Sequence, residues 1–378
     1  MKIKLFDAGN GDAILLESGE TVLLFDGGTT ASYKKWKCKL ELHSSIDAIF
    51  ITHIDNDHTN GIIKLLEENG CNLNPKVVKI KNIYFNGVEQ ILNDHITKSE
   101  EYSIEMSQIS SLSDSEIDGQ KIGYSEGTSL SYIIHKNNYS VNQNIARKRF
   151  CRESIKKFNI SDFNVEVIGP SSSCLDKMKS FWLNELKRNK IKKVVLNKNH
   201  SIAFESYISK FADTHDDISS DISFTSHKTI GSLAKVKYVR DNSLNNESSI
   251  CLLVSDQKKS ILMLGDCHGE QIIDWMDDGK IPILNVDAVK LPHHGSARNF
   301  PHSLIERINC SKYFISTNGA KFNHPDESLI ARIIYYSPNQ EIDFYFNLQN
   351  DSFDFNFFNT NKHKNKLVRF HITEEVEL

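Results

Sequence analysis

Apolar and polar positions alternate from the first residues of the chain. Lys2 to Asp7 reads as a strand, Gly9-Asn10-Gly11 interrupts it, and Ala13 to Glu17 resumes it. Ser18-Gly19 supplies a turn, and Thr21 to Phe25 predicts a third strand ending at Asp26-Gly27-Gly28, a loop that needs unusual backbone freedom. A basic segment, Lys34 to Lys39, precedes Ile46 to Thr52, which reads as one strand buried on both faces. Gly61 to Asn69 places Ile62, Ile63, Leu65 and Leu66 at helical spacing, and Val77 to Phe85 predicts another strand. Strands alternating with helices favour layered α/β packing.

The middle is less regular. Asn93 to Glu116 reads as helix, Ser129 to Ile134 as helix or strand, and Asn164 to Ile168 as a strand closed by Gly169-Pro170. Residues 171–244 read as an insertion with two halves of opposite charge. Lys177 to Lys198 holds eight Lys/Arg against Glu185 alone, and Asp213 to Asp221 adds four aspartates; the plain reading of both is solvated surface. Ser249 to Val254 and Ser260 to Leu264 then predict two strands, followed by a helix at Glu270 to Met276 and a strand at Ala288 to Leu291. Tyr313 to Ser316 adds a short strand and Glu327 to Tyr335 a helix. The tail spaces aromatic residues by two at Phe344 and Phe346, at Phe353, Phe355 and Phe357, and around Phe370, which predicts a β-appendage of about three strands.

Composition narrows the class. At 39% hydrophobic and 25% charged, the 378 residues are ordinary for a globular chain, with ample length for a large core. The net charge of −4 gives no global basic field. Apolar runs are strand-sized, well short of the roughly 20 residues of a membrane helix, and Asp7 breaks any signal-peptide core. Seven cysteines without a C-x-x-C pair point to buried thiols in a reducing compartment. The expectation is a soluble cytoplasmic protein without a membrane partner.

Chemistry concentrates at strand ends. His53-Ile54-Asp55-Asn56-Asp57-His58 packs two imidazoles and two carboxylates into one loop, an arrangement that is costly unless a cation lies among them. Gly265-Asp266 follows a later strand. Leu291-Pro292-His293-His294-Gly295-Ser296 follows another, with adjacent histidines that point in different directions, and Asn323-His324-Pro325 lies between a strand and a helix. Read singly, Asp266 is a turn residue and His324 a structural one. Together, each at a strand exit, they are a constellation.

H-x-D-x-D-H, then G-D, P-H-H-G-S and H-P resemble the metallo-β-lactamase superfamily of hydrolases. Asp7-x-Gly9-x-Gly11-Asp12-Ala13 and Asp26-Gly27-Gly28 look like its opening motif. The branch most similar is that of ComEC-type C-terminal hydrolase domains and phosphorylcholine esterases. The resemblance covers about residues 1–85, 163–170 and 245–335. It implies an α/β fold, a four-layer αββα metallo-β-lactamase sandwich with a large mid-chain insertion and a small C-terminal β-appendage. The hydrolase domain would span 1–340, with insertions at about 90–160 and 171–244, and the appendage 341–378.

Carried onto this sequence, the resemblance implies His53, Asp55, Asp57, His58, Asp266 and His294 as metal ligands, with Asp26 orienting the metal loop. His293 is left for substrate or leaving group. Asp57, His293 and His324 are the catalytic candidates. Asp55 stands where the superfamily most often has His, and Asn245-Asn246-Glu247-Ser248-Ser249 occupies the place of its separate third histidine. Two divalent ions, zinc or manganese, are implied, with a hydroxide held between them as nucleophile.

The preferred reading is a phosphodiesterase or nuclease, a component of a nucleic-acid-processing or defence system. Lys177 to Lys198, with Phe181 and Trp182, would track a backbone and stack bases. A small-molecule ester, amide or lactam hydrolase is the alternative enzyme. A binding or effector subunit with a residual metal site, docking a protein partner through 171–244, is the alternative of another class.

Overall fold

The computed structural model describes residues 1–92, 130–146, 148–188 and 228–378. The expected helix at Asn93 to Glu116 and the acidic run at Asp213 to Asp221 lie outside these residues.

Strands β1 (Lys2–Leu5), β2 (Ile14–Ser18) and β3 (Thr21–Phe25) form an antiparallel meander. Helix α1 (Thr30–Leu40) starts where the Thr29 side chain accepts the Ser32 amide. The run expected as one strand is split into β4 (Ser45–Ile46) and β5 (Ala48–Phe50). The cause is Asp47 between them. Its buried carboxylate accepts the Val22 amide at 3.0 Å and Lys81 Nζ at 2.6 Å, so the chain leaves the ladder there. Helix α2 (Asn56–Asn69) follows, then β6 (Lys79–Ile80), which pairs with β4, and β7 (Ile83–Tyr84), which pairs with β5.

Two short helices, α3 (Val88–Leu92) and α4 (Leu130–Lys136), precede the hairpin β8 (Lys157–Ile160) and β9 (Phe163–Gly169). Helix α5 (Ser172–Arg188) buries Leu175, Met178 and Trp182. Trp182 is fully buried, so it is not a base-stacking platform; of the basic stretch, only residues up to 188 are described. Helices α6 (Ile230–Ala234) and α7 (Leu244–Glu247) lead into the antiparallel pair β10 (Cys251–Ser255) and β11 (Ser260–Met263). Then come α8 (Gly269–Asp278), β12 (Leu284–Asn285), β13 (Ala288–Lys290), α9 (His302–Ile305), β14 (Ile308–Asn309), β15 (Lys312–Ile315) and α10 (Glu327–Tyr336).

The tail contributes β16 (Glu341–Phe346), α11 (Phe355–Thr360), β17 (Leu367–Ile372) and β18 (Glu375–Glu377). Of its middle aromatics, expected in a strand, Phe355 and Phe357 are helical instead and Phe353 precedes the helix. Asp354 accepts the Phe357 amide at 2.9 Å and starts a helix that turns Phe358 inward. The outer strands join the main sheets: β17 and β16 extend one, and β18 pairs with β1 of the other.

The sheets run β18-β1-β2-β3-β5-β7 and β17-β16-β15-β13-β11-β10-β9-β8. Three apolar cores account for the layers. One lies between the sheets, with Leu5, Leu16 and Phe50 facing Leu252, Ile261 and Phe314. A second seats α1, α2, α4 and α5 on the outside of the first sheet, and a third seats α8, α9 and α10 on the second. The result is an αββα sandwich, with the loops after β3, β5, β11, β13 and β15 gathered at one end.

Candidate metal centre

Asp26, directly after β3, takes a left-handed backbone (φ 55°) that turns its carboxylate under the next loop. There it accepts the Thr52 amide at 2.8 Å and the Thr52 hydroxyl at 2.7 Å, and meets His58 Nδ1 at 2.9 Å. A proton held on Nδ1 leaves the Nε2 lone pair of His58 pointing into the site. Asp55 ends the loop and Asp57 and His58 form the first turn of α2, so the motif's spacing presents all of them at one helix end. The first loop of the chain lies against that turn: a Cβ on Gly11 would sit 1.7 Å from the Asp57 carbonyl oxygen. Asn10 Nδ2 donates to Asp57 Oδ2 at 2.8 Å.

The second half-site comes from the other sheet. Gly265 (φ 50°) packs where a Cβ would lie 2.8 Å from the Thr52 side chain, and this contact delivers Asp266 beneath His58. Past β13, His293 and His294 both have left-handed backbones (φ 46° and 55°). Non-glycine residues hold that conformation at a cost of about 1–3 kcal/mol each, which marks sites where side-chain direction matters. Here it turns consecutive rings toward the same carboxylate.

Asp266 Oδ2 is the centre. His58 Nε2 lies 3.3 Å from it, His294 Nε2 3.7 Å, His53 Nε2 3.8 Å and His293 Nε2 4.0 Å. Asp55 Oδ2 stands 3.3 Å from His53 Nε2, and Asp57 Oδ2 3.6 Å from His294 Nε2. Donor atoms of Asp12, His58, Asp266 and His294 all fall within 4.8 Å of one another. His53 Nε2, His58 Nε2 and Asp266 Oδ1 are buried without a hydrogen-bond partner. Buried lone pairs aimed at one another are unstable unless a proton or a cation lies between them, so these residues fit divalent metal.

The electrostatics agree. Burial opposes charge throughout, yet Asp266 and Asp26 hold His58 well above the usual imidazole value. Likewise burial raises Asp266, but His58, His294 and His293 bring it well below the carboxylate range. His324 is lowered, chiefly by burial, with Asp326 opposing; its Nδ1 is 3.4 Å from Asp326 Oδ1 and its ring 5.4 Å from that of His293.

The metal-ligating and catalytic candidates are thus in or beside one cluster: His53, Asp55, Asp57, His58, Asp266, His293 and His294 around the central oxygen, Asp26 behind His58, and His324 beside His293. Sequence reasoning missed several others. Asp12 pairs with Lys290 in full burial, and its other oxygen is 3.4 Å from His294 Nδ1. The signal was a lysine inside the apolar strand Ala288 to Leu291. Asn245 donates to Asp55 at 2.9 Å and Ser249 Oγ lies 3.1 Å from His53 Nδ1. Asp241, within the segment read as insertion, is buried and accepts Asn246 at 2.8 Å and Asn299 at 3.0 Å. A lone aspartate among polar residues carries no such signal.

Residues 6–78 match the metallo-beta-lactamase superfamily. The matched segment holds β2, β3, the Asp26 loop and the whole His53–His58 motif, and the sandwich around it has that superfamily's fold. Its members are hydrolytic enzymes that bind divalent metals, usually two. No curated protein matches the chain. Among solved structures, the metallo-beta-lactamase fold protein YhfI from Bacillus subtilis is similar at 10% identity and TM-score 0.37, covering 100% of this chain and 99% of its own. Human tRNase Z, short form, is similar at 14% identity and TM-score 0.32, covering 76% of each chain. Zn(2+)-bound PqqB from Methylobacterium extorquens is similar at 9% identity and TM-score 0.40, covering 100% of both. Among the described residues no helix is long and apolar enough to cross a membrane.

Proposed function

We propose that this chain is a metal-dependent phosphodiesterase or nuclease of the branch that includes ComEC-type hydrolase domains. The observation that carries the metal reading is the ring of four histidine Nε2 atoms, 3.3 to 4.0 Å from one Asp266 oxygen, in which His53 Nε2, His58 Nε2 and Asp266 Oδ1 are buried without a hydrogen-bond partner. His53, Asp55, Asp57, His58, Asp266 and His294 would hold the metal. Asp12, Asp26, Asp55, Asp57 and Asp266 crowd five carboxylates around one ammonium, Lys290, an excess of negative charge that divalent cations would offset. Three carboxylates among the six ligands make the site harder than an all-histidine one, so manganese competes with zinc. When bound, such ions acidify water to neutral-pH reactivity and neutralise charge on substrate oxygens.

The chain's own residues supply the rest. Asp57, anchored by Asn10 and more exposed than Asp12, Asp26 or Asp266, orients the attacking water through its carboxylate. His324, neutral at neutral pH because burial lowers it, takes up the proton the water releases and returns it to the leaving oxygen. Preference for phosphorus rests on the hard donor set and on in-line displacement, which suits paired cations. Exposed Lys187 on α5 adds positive charge for a polyanionic substrate.

The test is hydrolysis of bis-p-nitrophenyl phosphate and of single-stranded DNA, with Mn²⁺ and Zn²⁺ supplied separately and Asp57→Ala and Asp266→Ala as controls. Phosphodiester turnover abolished in both variants is expected. Turnover of a chromogenic ester or lactam alone would replace the substrate class, and equal rates in all three proteins would overturn the reading.

A further inference from the structure

We infer that the chain forms a two-fold dimer in which β17 of one copy joins β17 of a second copy edge to edge. The inference stands apart from the reaction proposed above.

β17 is the outermost strand of the eight-stranded sheet, and among the described residues no strand lies on its other side. In its parallel ladder with β16, the Leu367 amide donates to the Gln340 carbonyl at 2.8 Å and the Thr373 amide to the Phe346 carbonyl at 2.9 Å. Backbone groups alternate in direction along a strand. Those of Leu367, Arg369 and His371 therefore face β16, and those of Val368, Phe370 and Ile372 face outward. Such a row is a template for another strand unless charge, proline or a bulge guards it. Here nothing does. β17 has no proline, and its one charge, Arg369, is held by both oxygens of Asp343 at 2.6 and 2.8 Å. Leu367 and Ile372, at its two ends, are half exposed (49% and 50%). The other sheet edges are shorter or more polar: β8 exposes Lys157 and Asn159, β7 has two residues, and β18 has three, two of them glutamates.

Register singles out a second copy. Directly opposed residues of an antiparallel pair share a sheet face, so a two-fold axis between identical strands must pass through a residue. With the axis at Phe370, Val368 of each copy opposes Ile372 of the other, and the two Phe370 residues oppose each other. These are the outward-facing residues, so each outward amide and carbonyl of β17 gains a partner, and apolar side chains meet apolar ones. An axis at Arg369 would oppose two guanidinium groups. One at Val368 would set Phe370 and Ile372 against Lys366 and Lys364. The flanks are complementary in charge. Exposed Lys362 and Lys364 precede β17 and make no ion pair among the described residues, and exposed Glu374, Glu375 and Glu377 follow it. The antiparallel joint brings each basic flank beside the other copy's acidic one. Glu374 and Glu375 also meet Lys39 and Lys2 of their own chain, in exposed pairs that hold little energy. Because β13, β15, β16 and β17 are parallel and the site loops follow β13 and β15, the joint sets the two centres at opposite ends of one sheet. Each centre stays complete within its own chain.

The experiment is sedimentation equilibrium of the full chain across about 1–100 μM. Wild type is compared with Ile372→Lys, Ile372→Pro and, at an exposed apolar residue elsewhere, Leu42→Lys. Wild type and Leu42→Lys should show twice the 43.1 kDa chain mass. Ile372→Lys sets an ammonium against Val368 of the other copy, and Ile372→Pro removes an outward amide while sparing the bonds to β16. Each change enters the interface twice, so both should weaken the dimer at least about tenfold. Their metal content and turnover should match wild type. A wild-type monomer throughout the range, or a dimer that both folded Ile372 variants leave unchanged, would overturn the inference and leave the reaction reading intact.

Discussion

Asp12 and Lys290 bury a carboxylate and an ammonium against each other beneath His294. Burial raises the Asp12 carboxyl, but Lys290 and His294 outweigh it and hold it at about 2. Removing one partner strands the other's charge. Lys290→Met should cost about 3–5 kcal/mol in urea unfolding, whereas adding Asp12→Leu to it should restore most of that loss. Asp26 acts differently, through the tautomer of His58. Asp26→Asn keeps an oxygen for the Thr52 amide but removes the charge behind the imidazole. Calorimetric titration should then show metal affinity about 10–100-fold lower, with the fold retained. At this scale the motif histidines and aspartates were legible because four metal-competent side chains in six residues are costly without a cation. Asp241, Asn246 and Asn299 were not, since a lone aspartate and buried amides leave no mark in a sequence of polar loops.

Strands were legible where residues alternated, as in β1, or where a short apolar run lay between turn residues, as in β2, β3, β10 and β11. Reading failed where one polar side chain redirected the backbone: Asp47 splits β4 from β5, and Asp354 starts α11 among aromatics spaced like a strand. The edge pair β16–β17 gives a test of its own. Arg369 donates to both oxygens of Asp343 at 2.6 and 2.8 Å, and His371 Nε2 lies 2.7 Å from one of them. Arg369 chiefly, against burial and with His371, lowers the Asp343 carboxyl below its usual 3.8. The folded state therefore binds fewer protons than the unfolded one in that range. Its stabilisation is complete above pH 3.8 and disappears as pH falls through the lowered value. Asp343→Asn should lower the melting temperature at neutral pH and flatten its decline below about pH 4, as thermal melts across pH will show.

On the scale of the whole molecule, the centre is assembled from loops more than two hundred residues apart, brought together by the core between two sheets. Order along the chain revealed this arrangement because each motif closes a strand, and in layered α/β packing strand ends converge. Less legible was how far the region read as insertion reaches into the site. Asp241, inside it, accepts Asn246 and Asn299, the residues behind His293, and α5 buries Trp182 rather than offering it to a base. The near-neutral charge was uninformative for the same reason: the decisive charges are buried and mutually compensated. In the proposed reaction, divalent metal at Asp266 drives hydrolysis of a phosphodiester. Turnover of bis-p-nitrophenyl phosphate by the chelator-stripped chain, before and after readdition of Mn²⁺ or Zn²⁺, tests it most directly. Turnover absent without metal, restored on readdition, and absent throughout in Asp266→Ala is the predicted result; a rate indifferent to metal and to that substitution would contradict it.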